Sequence, residues 1–577
     1  MIWSICYAIF LVAVCVSLFI FFRQYRWKRK RYSTAVKSLI VGFAIGLFAL
    51  FLPIQIDTFG TDAAGIVKAV LFSLNRTLRG FVLTDINFMT QNASISSEMY
   101  PVYSVTVMLL CFICPLLTLS YILTFFSKVC AGVKFIFSFS KELCVFSQMN
   151  ENSVALAKDM AKDHPKRRVV FCGVNDAFKN QNSHLVNDAE KIKAVYFERD
   201  ICSLSFRFHK KKCSIWFFTI GDNEQQNTNE AVELAAKFRD RENTRIYLFS
   251  SLPESHMILS GIDPGSVIIR RIDMTRLLIY RFLYNSGEIL FGNAADLGGP
   301  VKTISAVIVG LGGYGKELLK ALAWYCQMDG YRIVIDAYDI DTGVAERLEA
   351  ECSDLLDPKY NGVEAEGEAE YQIKIHAGID ARSSSFYRSI QTLAHPTFAF
   401  VALGSDSDNI EISSMLRTYF ERAGVKPDIY TVIKSGDKKR MINNIENFKH
   451  QKYGIHSIGD IPSTFSEKEI IGSDLEQEAL RHHKIWGDEA DFWRYEYNYQ
   501  SSLARAIHRK ARGGLQQKAD EAEVTEHKRW NAYMRSLGYT YSGSPDPSSR
   551  NDLAKTHNDL ISYNQLSLEE KLKDKDT

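Results

Sequence analysis

Long apolar runs that contain no charged residue dominate the first part of the chain. They span Met1–Phe22, Ser38–Ile56 and Met99–Ser127, and a helix needs roughly 20 apolar residues to cross a bilayer. We therefore expect an N-terminal three-helix transmembrane domain over residues 1–127, with helices at about 2–22, 36–56 and 101–127.

Six cations lie between Arg23 and Arg31, in the short loop that joins the first two runs. The positive-inside rule places such a loop in the cytosol. The pattern thus predicts a multi-pass protein of the cell inner membrane with three crossings, an external N-terminus and cytoplasmic domains after Ser127.

The segment Thr61–Leu83, in the outer loop, has helical spacing with Lys68, Arg76 and Arg79 among apolar residues. Two interpretations are open for such a pattern. The segment is either a helix on the outer membrane surface or a short packed helix.

After Ser127 the pattern changes to short β-branched and aromatic runs that alternate with amphipathic helical stretches. This alternation is typical of α/β domains with a parallel sheet. Two such series occupy residues 141–285 and 300–460, and we expect two tandem Rossmann-like lobes. The first turn of the first series has no glycine, so we interpret that lobe as a diverged copy. Residues 461–577 are expected to form linker helices and a small, mostly helical domain.

The clearest motif is "VIVGLGGYGKELLKAL", which joins a predicted strand to a predicted helix in the second series. Gly310, Gly312 and Gly315 fit G-x-G-x-x-G, a turn that brings backbone N–H groups close to a phosphate. Asp339 ends the next strand and is a candidate for hydrogen bonds from ribose hydroxyls. The motif predicts a nucleotide or dinucleotide site, NAD-like or a cyclic nucleotide messenger. A lobe that has kept the turn but binds nothing is the alternative.

A phosphate-binding loop of NTPases is a competing interpretation, because Gly310 to Lys316 also fits G-x-x-x-x-G-K. The next residue is Glu317, not the Ser or Thr that holds magnesium. The second series also has no strand-end Ser, Cys or Tyr-x-x-x-Lys arrangement to act as acid, base or nucleophile. We predict no catalytic residues, and an NAD-dependent oxidoreductase is the enzymatic alternative.

The composition of the chain bears on nucleic-acid binding and on metal sites. Lys plus Arg (69) nearly balances Asp plus Glu (67), which removes any bulk-charge argument for nucleic-acid binding. The 11 cysteines show no metal-ligand spacing outside the apolar runs, so we expect no metal site and a reducing cytosol. His482 and His483 form no metal set either, and we expect them on a solvated helix face.

The segment "FAFVALGSDSDNIEISSMLR", together with the glycine turn and the acidic strand end, resembles the TrkA-N or RCK family. That resemblance implies tandem cytosolic Rossmann lobes that bind a dinucleotide or nucleotide at the glycine turn and act on membrane helices. It marks Gly310, Gly312, Gly315 and Asp339 as ligand-binding candidates. Two further loop contacts are Asp406 and Asn409.

The C-terminus, with "TEHKRWNAYMRSLGYTYS" and "RNDLAKTHNDLISYNQLSLEEKLKDKD", resembles the RyR domain first defined in ryanodine receptors. His527 and Trp530 are one helical turn apart and share a face. With Arg529, Tyr539 and Tyr541 they suggest aromatic surfaces for a nucleobase, although the same residues fit the core of a small domain. The combination resembles bacterial membrane-anchored sensor-effectors of nucleotide-signalled antiviral defence.

These features lead to one main hypothesis and one alternative. In the first, the cytosolic lobes and the RyR-like domain bind a nucleotide-type ligand and gate a membrane effector or ion channel. Three helices cannot enclose a pore, so this requires a homo-oligomer surrounded by lipid. In the alternative, the chain is an RCK-type, dinucleotide-sensing regulatory subunit of a separate cation channel or transporter.

Overall fold

The computed structural model describes residues 2–27, 32–82, 102–103, 105–119, 142–206, 213–362, 371–393, 395–446, 453–516, 522–544 and 550–575. They form two compact units. One takes the described residues of Met1–Phe139 and Val170–Lys210, and the other takes those of Ser140–Val169 and Lys211–Thr577.

Four helices are formed by the described residues in the N-terminal part of the first unit. They are α1 (Ile2–Trp27), α2 (Tyr32–Phe59), α3 (Ala63–Gly80) and α4 (Val105–Leu119). Helices α1 and α2 approach closely because two glycines of α2 face α1. A Cβ atom at Gly42 would lie 2.3 Å from the Cβ of Ser17, and one at Gly46 would lie 2.9 Å from the Phe10 ring. The helical spacing predicted for the outer loop is confirmed by α3.

One helix among the described residues is long and apolar enough to cross a membrane, over Lys37–Phe59. Two shorter apolar helices cover Ile5–Phe21 and Val105–Leu119. The third predicted crossing, Met99–Ser127, lies partly outside the described residues. A membrane anchor near the N-terminus is compatible with these helices.

The first sheet has six parallel strands in the order β3-β2-β1-β4-β5-β6. The strands are β1 (Glu142–Phe146), β2 (Arg168–Phe171), β3 (Val195–Tyr196), β4 (Ser214–Thr219), β5 (Thr244–Phe249) and β6 (Ile268–Ile272). The helices are α5 (Glu151–Asp163), α6 (Asp176–Gln181), α7 (Ser183–Lys191), α8 (Glu224–Phe238) and α9 (Pro253–Ser260), followed after β6 by α10 (Met274–Ser286) and α11 (Glu288–Gly292). This is the strand order of dinucleotide-binding Rossmann folds.

The second sheet repeats that order as β12-β11-β10-β7-β8-β9, again with parallel strands. Its strands are β7 (Lys302–Val309), β8 (Tyr331–Asp339), β9 (Gln372–Ala377), β10 (Phe398–Val401), β11 (Asp428–Val432) and β12 (Ile455–Ile458). Its helices are α12 (Gly313–Tyr325), α13 (Val344–Glu351), α14 (Ser353–Leu356), α15 (Ser384–Gln391), α16 (Asp406–Arg422) and α17 (Gly436–Glu446). The predicted pair of Rossmann-like α/β sheets is confirmed.

The central strands are apolar because helices cover both faces of a parallel sheet. In β7 every residue after Lys302 is buried. The polar turns before several helices supply their caps, since Asn150 accepts the Ser153 N–H at 2.8 Å and Ser405 accepts the Asp408 N–H at 3.1 Å. Apolar runs and capping residues therefore fix where strands end and helices begin.

Between the second sheet and the C-terminal segment the described residues form five helices. They are α18 (Ile461–Thr464), α19 (Glu467–Ile470), α20 (Asp474–His483), α21 (Glu489–Arg494) and α22 (Glu496–Gly514). Of these, α21 packs against β6, the edge strand of the first sheet. Arg270 on β6 lies 2.6 Å from the Glu476 carboxylate of α20 and donates to the Tyr499 hydroxyl of α22 at 2.5 Å. The next residue, Arg271, points to the opposite face and pairs with Glu496 at 2.7 Å.

The prediction of a solvated face for His482 and His483 is wrong. Helix α22 covers α20, which leaves the two histidines 7% and 0% exposed. His483 Nδ1 lies 3.2 Å from the Ser502 hydroxyl, and His482 Nδ1 lies 3.0 Å from Arg509.

The C-terminal segment combines helices with a small sheet. Helix α23 (Ala522–Ser536) is followed by three two-residue strands, β13 (Thr540–Tyr541), β14 (Arg550–Asn551) and β15 (Thr556–His557), and by α24 (Leu568–Lys575). The sheet has the order β13-β15-β14, which the prediction of a mostly helical domain did not include.

Loss of the Glu476 carboxylate is expected to destabilise the chain strongly. In Glu476→Ala the Arg270 guanidinium stays buried without its counter-charge, which typically costs about 3–5 kcal/mol. The measurement is urea unfolding of the full chain in detergent. As a matched control, Glu411→Ala removes one exposed partner of Arg382 and should leave the free energy of unfolding nearly unchanged, because solvent screens this pair. Equal effects of the two changes would contradict a stabilising role for the buried pair.

Candidate functional site

The glycine turn connects β7 to α12 at the point where the strand order of the second sheet reverses. Ligands of open α/β sheets bind in the crevice at this point. Gly310 has a φ of +91°, and a Cβ there would lie 2.4 Å from the Ala402 carbonyl oxygen. A Cβ at Gly315 would lie 1.8 Å from the Gly310 carbonyl oxygen. Neither position has room for a side chain, so these two glycines shape the turn.

Gly312 is different because the space around it is open. Apart from its chain neighbours, no described atom lies within 4 Å of the position a Cβ would occupy. Gly312 directly precedes α12, and no described side chain caps that helix. The first N–H groups of a helix lack partners within it, and the helix dipole favours an anion there. The backbone N–H groups at the start of α12 are therefore open to an anion from the side of Gly312.

Asp339 lies beside this turn at the end of β8. Its carboxylate accepts the Leu311 N–H at 2.6 Å and the Asp341 N–H at 2.8 Å. These bonds hold the glycine turn against β8, a role that sequence reasoning missed. Each carboxylate oxygen has more than one acceptor site, so the geometry leaves capacity for a ligand hydroxyl. Asp341 next to it is ion-paired with Arg347.

Asp406 and Asn409 lie on the same sheet edge but already have backbone partners. Asp406 accepts the N–H groups of Lys434 at 3.0 Å and Ser435 at 2.9 Å. Asn409 is 3% exposed; its oxygen accepts the Leu403 N–H at 2.6 Å and its nitrogen donates to the Val432 carbonyl at 2.8 Å. Asn409 therefore ties the ends of β10 and β11 together, which makes it a support of the loops around the turn.

The first lobe contains the same asparagine arrangement around a closed turn. Asn227 accepts the Gly221 N–H at 2.7 Å and donates to the Phe249 carbonyl at 2.9 Å. A Cβ at Gly221 would lie 2.8 Å from the Gln148 side chain. The helix that follows β1, the counterpart of α12, is capped by Asn150, whose side chain accepts the Ser153 N–H at 2.8 Å, whereas no described side chain caps α12.

Two of the C-terminal candidates form one aromatic stack. His527 is 3% exposed and lies 2.9 Å from the Ile561 carbonyl through Nε2. Its ring stacks on Trp530 with centroids 5.7 Å apart, and Trp530 meets His557 edge-on at 4.9 Å. Trp530 is half-buried, so it is the member of the stack that solvent reaches.

The side chains of the other three C-terminal candidates lie in three different surroundings. Arg529 is 1% exposed and pairs with Glu526 at 2.6 Å, on the side of α23 that faces α22. The Tyr539 hydroxyl donates to Asp552 at 2.8 Å. Tyr541 is 51% exposed on β13. The five predicted residues therefore do not share one surface.

Helix α23 packs on α12, the helix that begins at the glycine turn. Trp324 and Tyr533 meet edge-on with centroids 6.0 Å apart. Closer to the start of the same helix, Lys316 and Lys320 of α12 pair with Glu351 at 2.8 and 2.5 Å. Burial raises the pKa of Glu351, but the two lysines outweigh it and lower the pKa to about 2.

A buried charge network continues this contact toward α22. Burial would raise the pKa of Glu526, yet Arg529 and Arg505 outweigh it and lower the pKa to about 2. His508 lies 3.8 Å from Glu526 and 2.8 Å from the Gln327 carbonyl oxygen just beyond α12. Burial lowers the pKa of His508 to about 4, so this histidine is neutral at pH 7.

The chain matches no protein-family model and no curated protein sequence. Among the described residues, no group of three or more His, Cys, Asp or Glu is placed to hold a metal ion. The open turn at Gly312 and its helical connection to α23 are the strongest functional features of the second unit.

Replacement of His508 is expected to reduce the acid sensitivity of the fold. Between pH 6.5 and about 4 the unfolded chain binds a proton at His508 that the folded chain does not bind, so stability falls as the pH falls. The His508→Gln variant should lack this loss, which amounts to about 3 kcal/mol across the window. Urea unfolding of the full chain in detergent at a series of pH values measures it.

His164→Gln replaces a solvent-exposed histidine and controls for the loss of one imidazole. Parallel pH profiles for the unsubstituted chain and His508→Gln between pH 7 and 4 would contradict the buried, neutral state of His508.

Proposed function

We propose that the chain is a membrane-anchored sensor and effector that binds a nucleotide-type ligand at the glycine turn. The open backbone at Gly312, on a sheet with Rossmann strand order, is the observation that carries this proposal. The proposal includes three membrane crossings, an external N-terminus, cytoplasmic lobes and a homo-oligomeric membrane assembly.

A nucleotide suits the chemistry of the turn better than a bare anion does. Gly312 and the start of α12 offer backbone donors to a phosphate, and the Asp339 carboxylate lies beside them for a sugar hydroxyl. Ile340 follows Asp339 and is 68% exposed, which gives an apolar surface for a base. These features suit the three parts of a nucleotide.

The signal would leave the site through α12. Its first residues surround the ligand, and its sides contact α23 through Trp324 and Tyr533. A ligand that favours one position of α12 over another shifts the equilibrium between the two arrangements by its difference in affinity. The resemblance to RCK lobes and RyR domains supports a membrane output and a role in bacterial antiviral defence.

Ligand binding should depend on the open space at Gly312. The full chain in detergent is titrated with NAD, ATP and a cyclic dinucleotide, and thermal unfolding is followed. A probe at 100 times its Kd stabilises the folded state by about 2.7 kcal/mol. Gly312→Asp places a carboxylate where the phosphate lies and should abolish the shift.

Gly472→Asp is the matched control, because Gly472 also has no described atom within 4 Å of its Cβ position. It should leave the shift unchanged. Binding that survives Gly312→Asp, or no binding of any of the three probes, would contradict the proposed site.

Membrane topology should follow the positive loop. Thr61 lies in the α2–α3 turn and Leu553 is 84% exposed in the C-terminal segment. In intact bacterial cells, an impermeant maleimide should label Thr61→Cys from outside and Leu553→Cys only after permeabilisation. The unsubstituted chain gives the background from its own cysteines. Labelling of both positions from the same side would refute three crossings.

The regulatory-subunit alternative differs in what carries the conductance. A separate pore protein that co-purifies with the chain favours that alternative. Conductance of liposomes that contain the purified chain alone favours the effector.

A further inference from the structure

Helix α3 has large apolar residues on its exposed side and small residues on its buried side. Its buried residues are Gly65, Ala69, Ser73, Thr77 and Gly80. Its exposed large apolar residues are Ile66, Val67, Val70, Leu71, Phe72, Leu74 and Leu78. A helix on a water-soluble protein shows the reverse pattern. Small residues at the helix contact and large apolar residues outside are typical of helices surrounded by lipid.

The hydroxyl groups of this helix are also satisfied in the way that lipid requires. Ser73 donates to the Ala69 carbonyl at 2.7 Å and Thr77 donates to the Ser73 carbonyl at 2.8 Å. Hydrocarbon offers no partner to a polar group, so each must find one within the protein. The small face of α3 therefore carries no unsatisfied hydroxyl into the helix contact.

Helix α3 runs back along α2 to the middle of the candidate membrane span. At its start, a Cβ on Gly65 would lie 2.4 Å from the Phe59 carbonyl oxygen. At its end, a Cβ on Gly80 would lie 3.2 Å from the Leu47 side chain. The span of α2 is Lys37–Phe59, so Leu47 is close to its midpoint. If α2 crosses the membrane, α3 re-enters it and ends near the bilayer centre.

A stripe of polar residues, interrupted by Phe72, runs along one side of α3 between the small face and the apolar face. Lys68, Asn75 and Arg79 are all exposed and are separated by 7 and 4 residues, which places them on one side of a helix. At 1.5 Å per residue, Arg79 lies about 16 Å deeper than Lys68. The stripe thus extends from the membrane surface at Lys68 to the bilayer centre at Arg79.

Cations at this depth are costly in hydrocarbon and face a bundle interior or a water-filled cavity. We propose that α3 is a re-entrant membrane helix whose Lys68–Asn75–Arg79 stripe lines a water-filled path for inorganic anions. Rings of Lys or Arg are how anion pores select their ions. The inference rests on the proposed membrane effector, for which it names the permeant class. The apolar face of α3 contacts lipid acyl chains.

Cysteine accessibility in liposomes that contain the full chain tests this inference. Asn75→Cys and Leu74→Cys change adjacent, exposed residues at the same depth, one on the stripe and one on the apolar face. Asn75→Cys should react with water-soluble methanethiosulfonates at least about tenfold faster than Leu74→Cys, because a thiolate forms only in water. The pair Arg79→Cys and Leu78→Cys repeats the comparison one turn deeper.

Reagent charge then reports the ion class. The Asn75→Cys variant keeps both cations of the stripe. Each reagent's rate is divided by its rate with a free thiol in solution. After this correction the anionic sulfonatoethyl reagent should react about tenfold faster than the cationic trimethylammonium reagent. Adding Arg79→Gln should reduce this preference several-fold.

Three outcomes would overturn the inference. If Asn75→Cys and Leu74→Cys react equally fast, α3 lies in bulk water. If both react equally slowly, the stripe has no aqueous path. If the two reagents react without a charge preference, the path does not select anions. None of them affects ligand binding at Gly312, so failure of this inference and failure of the proposed sensor are separable.

Discussion

A guanidinium buried at the edge of the first sheet determines how the second unit is arranged. Arg270 loses its hydration on folding, and only a carboxylate with good geometry offsets that cost. Glu476 supplies the carboxylate and Tyr499 orients it at 2.9 Å, so helices α20 and α22 must lie across β6. The far end of α22 then reaches the end of α12, where His508 meets the Gln327 carbonyl. One ion pair thereby fixes the surface on which the C-terminal segment packs.

The two lobes share a strand order and an asparagine arrangement, yet only one of them is open at the turn. In the first lobe Asn150 donates to the Ile220 carbonyl at 2.8 Å and Gln148 fills the space beside Gly221. The Asn150 side chain also accepts the Ser153 N–H at 2.8 Å and so caps α5. In the second lobe the space beside Gly312 is open. Asn409 holds the loops that follow β10 and β11. The pair therefore combines a closed scaffold with a lobe that has room for a ligand.

The sequence predicted the features that depend on local pattern. Parallel strands are continuous apolar runs, and Gly310 and Gly315 have no space for a side chain, so both lobes and the turn were visible in the sequence. Contacts between distant segments were not. Asp339 receives the Leu311 N–H from 28 residues away, His483 is buried by a helix that follows it, and Arg529 faces Glu526 instead of a ligand surface. Periodicity shows which side of a helix is apolar, but not which neighbour covers its polar side.

A ligand at the turn can act at a distance only if α12 moves as one piece. The helix has 13 residues and is about 20 Å long. No side chain in the described part of the protein caps its start, and its flank is packed against Tyr533. Packed interfaces switch between discrete arrangements and do not deform continuously, so a shift at Gly312 either fails to propagate or repacks the contact with α23. A ligand that binds both arrangements equally shifts neither. Under the proposed function, a phosphate would have to contact the start of α12 differently in the two arrangements, and the open space at Gly312 leaves room for that difference.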